Sequence, residues 1–123
     1  MKDQVLIVDD STTLRTSVAF TLSAAGYEVV SAVDGKDGLQ KLGAVDKNRL
    51  GMIITDINMP NMDGISFIHE VKKTAFRFVP ILVLTTESQE SRKMEGKTAG
   101  ASGWLVKPFK PDQLLAVVSK FTK

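Results

Sequence analysis

Five short apolar runs, separated by longer amphipathic stretches, constrain the fold of this chain more than any other feature. The runs are rich in Val, Ile and Leu and read QVLIV (4–8), YEVVSA (27–32), GMIIT (51–55), PILVL (80–84) and GWLV (103–106). Nearly continuous apolar runs are typical of parallel strands buried on both faces, because a half-exposed antiparallel strand would alternate apolar and polar residues. The pattern predicts an open α/β sandwich of roughly five strands and five helices.

The stretches between the runs carry apolar residues at helical spacing. These positions are Leu14, Val18, Leu22 and Ala25, then Ile65, Ile68 and Val71, and finally Leu114, Leu115, Val118 and Phe121. Asp34 before Gly35 predicts one helix start, and Pro111 predicts another. Gly26 and Gly43 follow periodic stretches and predict helix stops.

The segment 88–100, SQESRKMEGKTAG, gives the weakest helix signal. Met94 is almost its only large apolar residue, and Gly96 interrupts the pattern. Thr86 and Gln89 have the spacing of a capping box in front of it. We therefore expect either a weak helix or a mobile one. Its basic residues are expected to form a solvated face, and they are Arg92, Lys93 and Lys97.

Composition excludes several classes of protein. The chain has no Cys, which excludes disulfides, thiolate zinc sites and thiol catalysis and leaves oxygen atoms or the lone His69 as metal ligands. No apolar run approaches the roughly 18 residues of a membrane span, and there is no signal-peptide core, so we expect a cytoplasmic protein. The net charge of +2 is spread along the chain, which does not indicate nucleic-acid binding. Residues 1–123 are predicted to form one domain without an output domain, since no linker or repeat is found.

Polar residues follow four of the five apolar runs. Asp9 and Asp10 follow the first run, Asp56 the third, Thr85 the fourth and Lys107 the fifth. In an open parallel sheet, the carboxyl ends of the strands meet at one edge, where binding sites form. The sequence therefore predicts that these five residues line one edge of the sheet.

Three carboxylates at one edge would repel each other. At an effective dielectric constant of about 20, two like charges about 4 Å apart cost about 4 kcal/mol. A small dication such as Mg²⁺ would compensate this charge, and Lys107 adds a permanent positive charge. Such an arrangement suits phosphoryl transfer onto a carboxylate, with Asp56 as the nucleophile and Lys107 and Thr85 contacting the phosphoryl oxygens.

Each residue also has an ordinary structural interpretation when it is taken alone. Asp9 or Asp10 could cap a helix that begins near Ser11, and Asp56 could stabilise a turn. Lys107 could be a surface lysine. Only the joint placement of these residues favours the functional interpretation.

Four motifs, in order and at matching spacing, resemble response-regulator receiver domains, most closely stand-alone CheY-type chemotaxis regulators. The motifs are LIVDDS around Asp9 and Asp10, IITDINMPNMDG around Asp56, VLTTES around Thr85, and GASGWLVKPF around Lys107. The resemblance covers essentially the whole chain. It implies a flavodoxin-like (βα)5 doubly wound sandwich, with a parallel five-stranded sheet in the order 2-1-3-4-5.

The same resemblance implies the role of each site residue. Asp56 would accept a phosphoryl group from a histidine kinase, while Asp10, Asp56 and the main-chain carbonyl of Asn58 would hold Mg²⁺, with Asp9 acting through water. Thr85 and Lys107 would bind the phosphoryl oxygens. The peptide bond from Lys107 to Pro108 would be cis.

The resemblance also implies a switch and its partners. Thr85 would move on phosphorylation, and Trp104 stands where the family usually has a Tyr or Phe switch residue. The implied partners are a chemotaxis-type histidine kinase, the flagellar motor switch or another downstream protein, and a phosphatase. A monomer without membrane or nucleic-acid binding is expected, and no enzymatic activity beyond self-catalysed phosphoryl transfer and auto-dephosphorylation.

Three alternatives use a related fold or site. A haloacid-dehalogenase-type phosphatase would need a second acid two residues after Asp56, where the chain has Asn58. A flavin-binding electron carrier would place a phosphate near Asp9 and Asp10, which would repel it. A single-domain phosphorelay intermediate, which passes its phosphoryl group to a histidine phosphotransfer protein, shares all the site chemistry and stays open.

Overall fold

The computed structural model describes residues 3–86 and 92–122, which form a five-stranded sheet with helices on both faces. The strands are β1 (Gln4–Val8), β2 (Glu28–Ala32), β3 (Leu50–Asp56), β4 (Ile81–Thr85) and β5 (Gly103–Val106). The helices are α1 (Thr12–Ala24), α2 (Gly35–Leu42), α3 (Gly64–Val71), α4 (Lys93–Ala99) and α5 (Pro111–Thr122). Within these described residues, no helix is long and apolar enough to cross a membrane.

All neighbouring strands are parallel, and their order is β2-β1-β3-β4-β5. This confirms the predicted flavodoxin-like order 2-1-3-4-5. The chain leaves β1 for β2 on one side and later returns to β3 on the other side, so the strand order reverses between β1 and β3. A crevice forms at such a point outside the carboxyl ends of the strands.

Both faces of the three central strands, β1, β3 and β4, are buried, which explains why these strands are apolar at successive positions. In β1, Leu6 and Val8 pack with α2, α3 and α4, whereas Val5 and Ile7 pack with α1 and α5. All four side chains are fully buried. Burial of each such side chain stabilises the fold by roughly 1.5–3 kcal/mol.

Side-chain caps determine where three of the helices begin. Ser11, Asp34 and Asp63 each precede a helix and accept a hydrogen bond from the main-chain N–H three residues later. The predicted start at Asp34 is confirmed. At the end of α1, Gly26 has a φ of 96°, a left-handed conformation that glycine adopts without strain.

The segment with the weakest sequence signal contains the shortest helix of the described residues. α4 has seven residues, Lys93–Ala99, and Arg92 occupies its N-cap position without a side-chain capping bond. Within the described part of the predicted segment 88–100, the α-helix covers Lys93–Ala99. Residues 88–91, and with them Gln89 of the predicted capping box, lie outside the described residues.

Candidate functional site

The ends of β1 and β3 bring three carboxylates together. Asp9 and Asp10 directly follow β1, and Asp56 is the last residue of β3. One carboxylate oxygen from each of the three lies within 4.8 Å of the other two. Asp9 is fully buried and Asp56 is 7% exposed, whereas Asp10 faces solvent. The edge of the sheet therefore gathers three acids, two of which have little water to screen them.

Lys107 supplies the positive charge in this cluster. Its Nζ lies 3.3 Å from Asp56 Oδ1 and 3.4 Å from Asp9 Oδ2. Burial raises the pKa of Asp56, the attraction of Lys107 opposes this, and the repulsion of Asp9 adds to it, with a raised pKa as the net result. The ammonium group of Lys107 therefore does not fully offset the combined effect of burial and of Asp9 on the pKa of Asp56.

The donor set fits a small, hard dication. All three side chains offer carboxylate oxygens, and the exposed Asp10 makes one side of the cluster accessible to water. Mg²⁺ prefers one or two carboxylates together with carbonyl and water oxygens. Asn58, whose main-chain carbonyl was predicted as a further ligand, lies two residues after Asp56. His69 is exposed on α3 and is not a member of the cluster.

The interpretation of Asp9 as a helix cap is only partly right. Its Oδ1 accepts a hydrogen bond of 2.8 Å from the main-chain N–H of Ser11, but the side chain that caps α1 belongs to Ser11. The main-chain carbonyl of Asp9 accepts a bond of 2.6 Å from Arg15 Nη1. These bonds fix Asp9 while its Oδ2 faces Lys107.

Thr85 and Lys107 are joined through the main chain. The N–H of Lys107 donates to the carbonyl of Thr85 at 2.6 Å, and the hydroxyl of Thr85 donates to the carbonyl of Thr86 at 3.2 Å. Thr85 is 2% exposed, so its hydroxyl is held at the end of β4. The bond between Lys107 and Pro108 is cis, as the resemblance implied.

Gly64 lets α3 begin directly against the backbone that carries Asp56. A Cβ atom at this position would overlap the main-chain oxygen of Asp56 and lie 2.9 Å from Ile57 Cα. The N–H of Gly64 donates to the carbonyl of Ile57 at 2.7 Å, and Asp63 caps the helix. The sequence indicates only a turn at Asp63 and Gly64, because the contact that requires glycine exists only in the folded chain.

Trp104 packs across α4 at a second glycine. A Cβ atom on Gly96 would lie 2.5 Å from Cη2 and 2.8 Å from Cζ2 of the indole. The indole is partly buried and packs against the core on the side of α3 and α4. The emission of Trp104 should therefore report the position of α4.

We expect Gly96→Ala to displace the indole of Trp104 toward solvent and to shift its fluorescence emission to longer wavelength. Gly103→Ala is the matched control, since a Cβ there meets its nearest neighbour, Phe121, at an ordinary 3.5 Å. Emission spectra of the two variants, recorded at equal concentration, would contradict this contact if they were the same.

Arg92 contacts the loop that follows Asp56. It was predicted to belong to a solvated helix face, but its Nη2 lies 3.1 Å from Asp63 Oδ2 and 3.4 Å from Glu95 Oε2. Its Nη1 lies 3.5 Å from Asn58 Oδ1. The guanidinium therefore joins the first turn of α4 to the loop that follows Asp56.

Comparison with known proteins agrees with this geometry. The response regulator receiver domain family matches residues 5–119. Chemotaxis protein CheY1 of Helicobacter pylori is 37% identical over 113 residues, which are 90% of this chain and 90% of CheY1. The solved structure of chemotaxis protein CheY4 of Vibrio cholerae has a TM-score of 0.90 and 45% identity, and the match covers 98% of this chain and 99% of CheY4.

Some relatives are longer than this chain. The alkaline phosphatase synthesis transcriptional regulatory protein PhoP of Bacillus subtilis is 32% identical over 118 residues, which are 96% of this chain but 48% of PhoP. The chain thus spans about half the length of such relatives and most of the length of CheY1. A match over residues 5–119 shows the family, and this chain belongs to the response regulator receiver domains.

Proposed function

We propose that this chain is a phosphorylation-activated switch of a two-component system, with Asp56 as the phosphorylated residue. The observation that carries the proposal is the position of Asp56 at the end of β3, within 4.8 Å of carboxylate oxygens of two other acids and paired with Lys107. A carboxylate with a purely structural role would not need two further carboxylates and an ammonium group beside it. A nucleophilic carboxylate that must receive a further negative charge does need a compensating cation and a permanent ammonium beside it.

The proposed reaction is transfer from a phosphohistidine of a kinase. A carboxylate oxygen of Asp56 attacks phosphorus, a P–O bond forms, the P–N bond breaks, and the imidazole leaves as it takes up a proton from water. Lys107 favours the ionised form of Asp56 that this attack requires. Asp56 is 7% exposed, which leaves an opening for the incoming group.

The neighbours of Asp56 have separate proposed roles. Asp10, Asp56 and the main-chain carbonyl of Asn58 would hold Mg²⁺, with Asp9 acting through water. When bound there, Mg²⁺ would neutralise the carboxylates and the phosphoryl oxygens. Lys107, which already lies 3.3 Å from Asp56, would contact one phosphoryl oxygen, and the hydroxyl of Thr85 would rotate toward another.

The proposed switch runs from Thr85 to Trp104 and α4. Phosphorylation adds about −1.5 to −2 charge units, which would attract Thr85 and Lys107. Thr85 pairs with Val106, and Trp104 lies on the same strand, β5, in contact with α4 at Gly96. A movement of Thr85 would thus reach the surface formed by α4 and β5.

We propose that this surface then binds a downstream protein such as the flagellar motor switch. Support comes from CheY1 and CheY4, both named as chemotaxis proteins, because this chain matches 90% and 99% of their lengths. The upstream partner would be a histidine kinase. The alternative of a phosphorelay intermediate uses the same site residues and remains a second proposal.

The direct test is phosphorylation by acetyl phosphate, read by intact-protein mass and by mapping of the modified peptide. With Mg²⁺ present, we expect the mass of one phosphoryl group, located on the peptide that contains Asp56. EDTA should prevent the mass gain and leave the circular dichroism spectrum unchanged, since the core does not depend on the metal. No mass gain, or a gain located on another peptide, would refute the proposal.

Lys107→Ala should destabilise the fold by about 2 kcal/mol without Mg²⁺, because it leaves two buried carboxylates without their ammonium partner. Phosphorylation should persist, whereas the accompanying change in Trp104 emission should fall to roughly half or less, since a charged contact to the phosphoryl group is lost. The matched control is Lys110→Ala, which removes an exposed lysine three residues later. Equal stabilities and equal emission changes in the two variants would contradict the role of Lys107.

A further inference from the structure

The loop between β3 and α3, residues 57–63, is held from two sides. We propose that Arg92 is a positioning residue of the phosphorylation site: it ties this loop to the first turn of α4 in the resting state and releases it on phosphorylation. This inference rests on the proposed function. It adds a regulatory contact that the reaction itself does not require.

On the side of α2, the loop has a firm attachment. Asn61 Nδ2 donates to Asp34 Oδ2 at 2.7 Å, and Asp34 Oδ1 accepts the N–H of Asp37 at 2.8 Å. Asp34 is buried. Asn61 has a φ of 68°, a left-handed conformation that costs free energy unless its surroundings fix it. The short bond to a buried acid makes this side the fixed one.

On the side of α4, the attachment is weaker. The guanidinium of Arg92 has three acceptors at 3.1–3.5 Å, all longer than the roughly 2.7–2.9 Å of strong charged hydrogen bonds. The side chains of Arg92 and Asp63 are 29% and 35% exposed. A contact of this kind contributes little stability and exchanges readily. The loop should therefore separate from α4 rather than from α2.

Arg92 contacts both ends of the functional loop. Its Nη1 donates to Oδ1 of Asn58, which lies two residues after Asp56. Its Nη2 donates to Oδ2 of Asp63, which caps α3 next to Gly64. Gly64 in turn touches the backbone of Asp56. A shift of this loop when a phosphoryl group is added at Asp56 would lengthen the pair between Arg92 and Asp63 without bringing the guanidinium onto the phosphoryl group. Loss of the ion pair between Arg92 and Asp63 would release α4, the helix that contacts Trp104 through Gly96.

The test measures the affinity for beryllofluoride in the presence of Mg²⁺ by calorimetry, with Trp104 emission as a second readout. Arg92→Gln should bind about threefold more tightly than the wild type, because only the resting state loses a contact. Asp63→Asn should give a similar increase, since asparagine still caps α3. The double variant should show no further increase, because both substitutions remove the same contact.

Two controls remove charges from α4 and leave both loop acceptors of Arg92, Asn58 and Asp63, in place. Glu95→Gln removes the acceptor that lies on α4 itself, and Lys97→Gln removes an exposed charge from the same helix. Neither should tighten binding. If Arg92→Gln lowers only the free energy of unfolding and leaves the affinity unchanged, Arg92 is merely structural and the inference is wrong.

Weaker binding by Arg92→Gln would also overturn the inference, since it would show that Arg92 holds the phosphoryl group itself. These results are distinct from a failure of the proposed function. In that case the wild type would bind no beryllofluoride and gain no phosphoryl mass, and the inference would fall with it.

Discussion

Asp56→Asn is expected to abolish phosphorylation by acetyl phosphate and, without Mg²⁺, to raise the free energy of unfolding at neutral pH. The phosphorylation is lost because the amide is not a nucleophile of this kind. The stability rises because the substitution removes a charge that burial and Asp9 disfavour. The gain should be roughly 1–2 kcal/mol, the usual size of a single-residue effect. Asp46→Asn, at an exposed acid outside the cluster, should change neither quantity.

The pH dependence of this gain follows from the raised pKa of Asp56. The folded state binds the proton more tightly than the unfolded state, whose pKa lies near 3.8. The stabilisation by the bound proton is therefore complete below 3.8 and is lost as pH rises through the raised pKa of the folded state. The gain in the free energy of unfolding caused by Asp56→Asn should vanish in acid and reach its full size at neutral pH. Urea denaturation in EDTA at both pH values measures it, and a pH-independent difference would contradict the electrostatic explanation.

Gly64→Ala should be the most destabilising of the substitutions considered, with a loss of about 3 kcal/mol. The added Cβ would overlap the main-chain oxygen of Asp56, and backbone atoms cannot move aside as a side chain can. The displacement would also move Asp56 away from Asp9 and Asp10, so Mg²⁺ binding should weaken.

Gly43→Ala is the matched control for Gly64→Ala. Gly43 has a right-handed φ of −66°, and a Cβ there would lie 3.3 Å from the main-chain carbonyl of Gln40, a much milder approach than the overlap at Gly64. We expect urea midpoints close to those of the wild type for this variant. A similar loss in both variants would show that the close approach of α3 to Asp56 has no special cost.

The sequence predicted the sheet and the meeting of the acids because both follow from local patterns combined with topology. Runs such as QVLIV are apolar throughout because Leu6 and Val8 face one layer of helices while Val5 and Ile7 face the other. Once the sheet is known to be parallel, Asp9, Asp10 and Asp56 must end at one edge.

The sequence could not predict contacts between residues that are distant along the chain. Arg92 pairs with Asp63, 29 residues earlier, and nothing in the local pattern of basic residues distinguishes it from Lys93 or Lys97. Gly64 likewise requires the backbone of Asp56 as a neighbour. The short α4 shows the same limit, since its position depends on how Gly96 packs against Trp104 rather than on an apolar stripe of its own.

The proposed function depends on three carboxylates that lie close enough together to bind one dication. The most direct measurement is the free energy of unfolding as a function of Mg²⁺ concentration. Above the dissociation constant, one site predicts a rise of about 1.4 kcal/mol for each tenfold increase in Mg²⁺. Asp10→Asn should weaken binding, so that the rise begins at a higher Mg²⁺ concentration, whereas Asp46→Asn should leave this concentration unchanged, although both remove one exposed carboxylate. A wild-type stability that does not change with Mg²⁺, or equal responses of the two variants, would contradict the account.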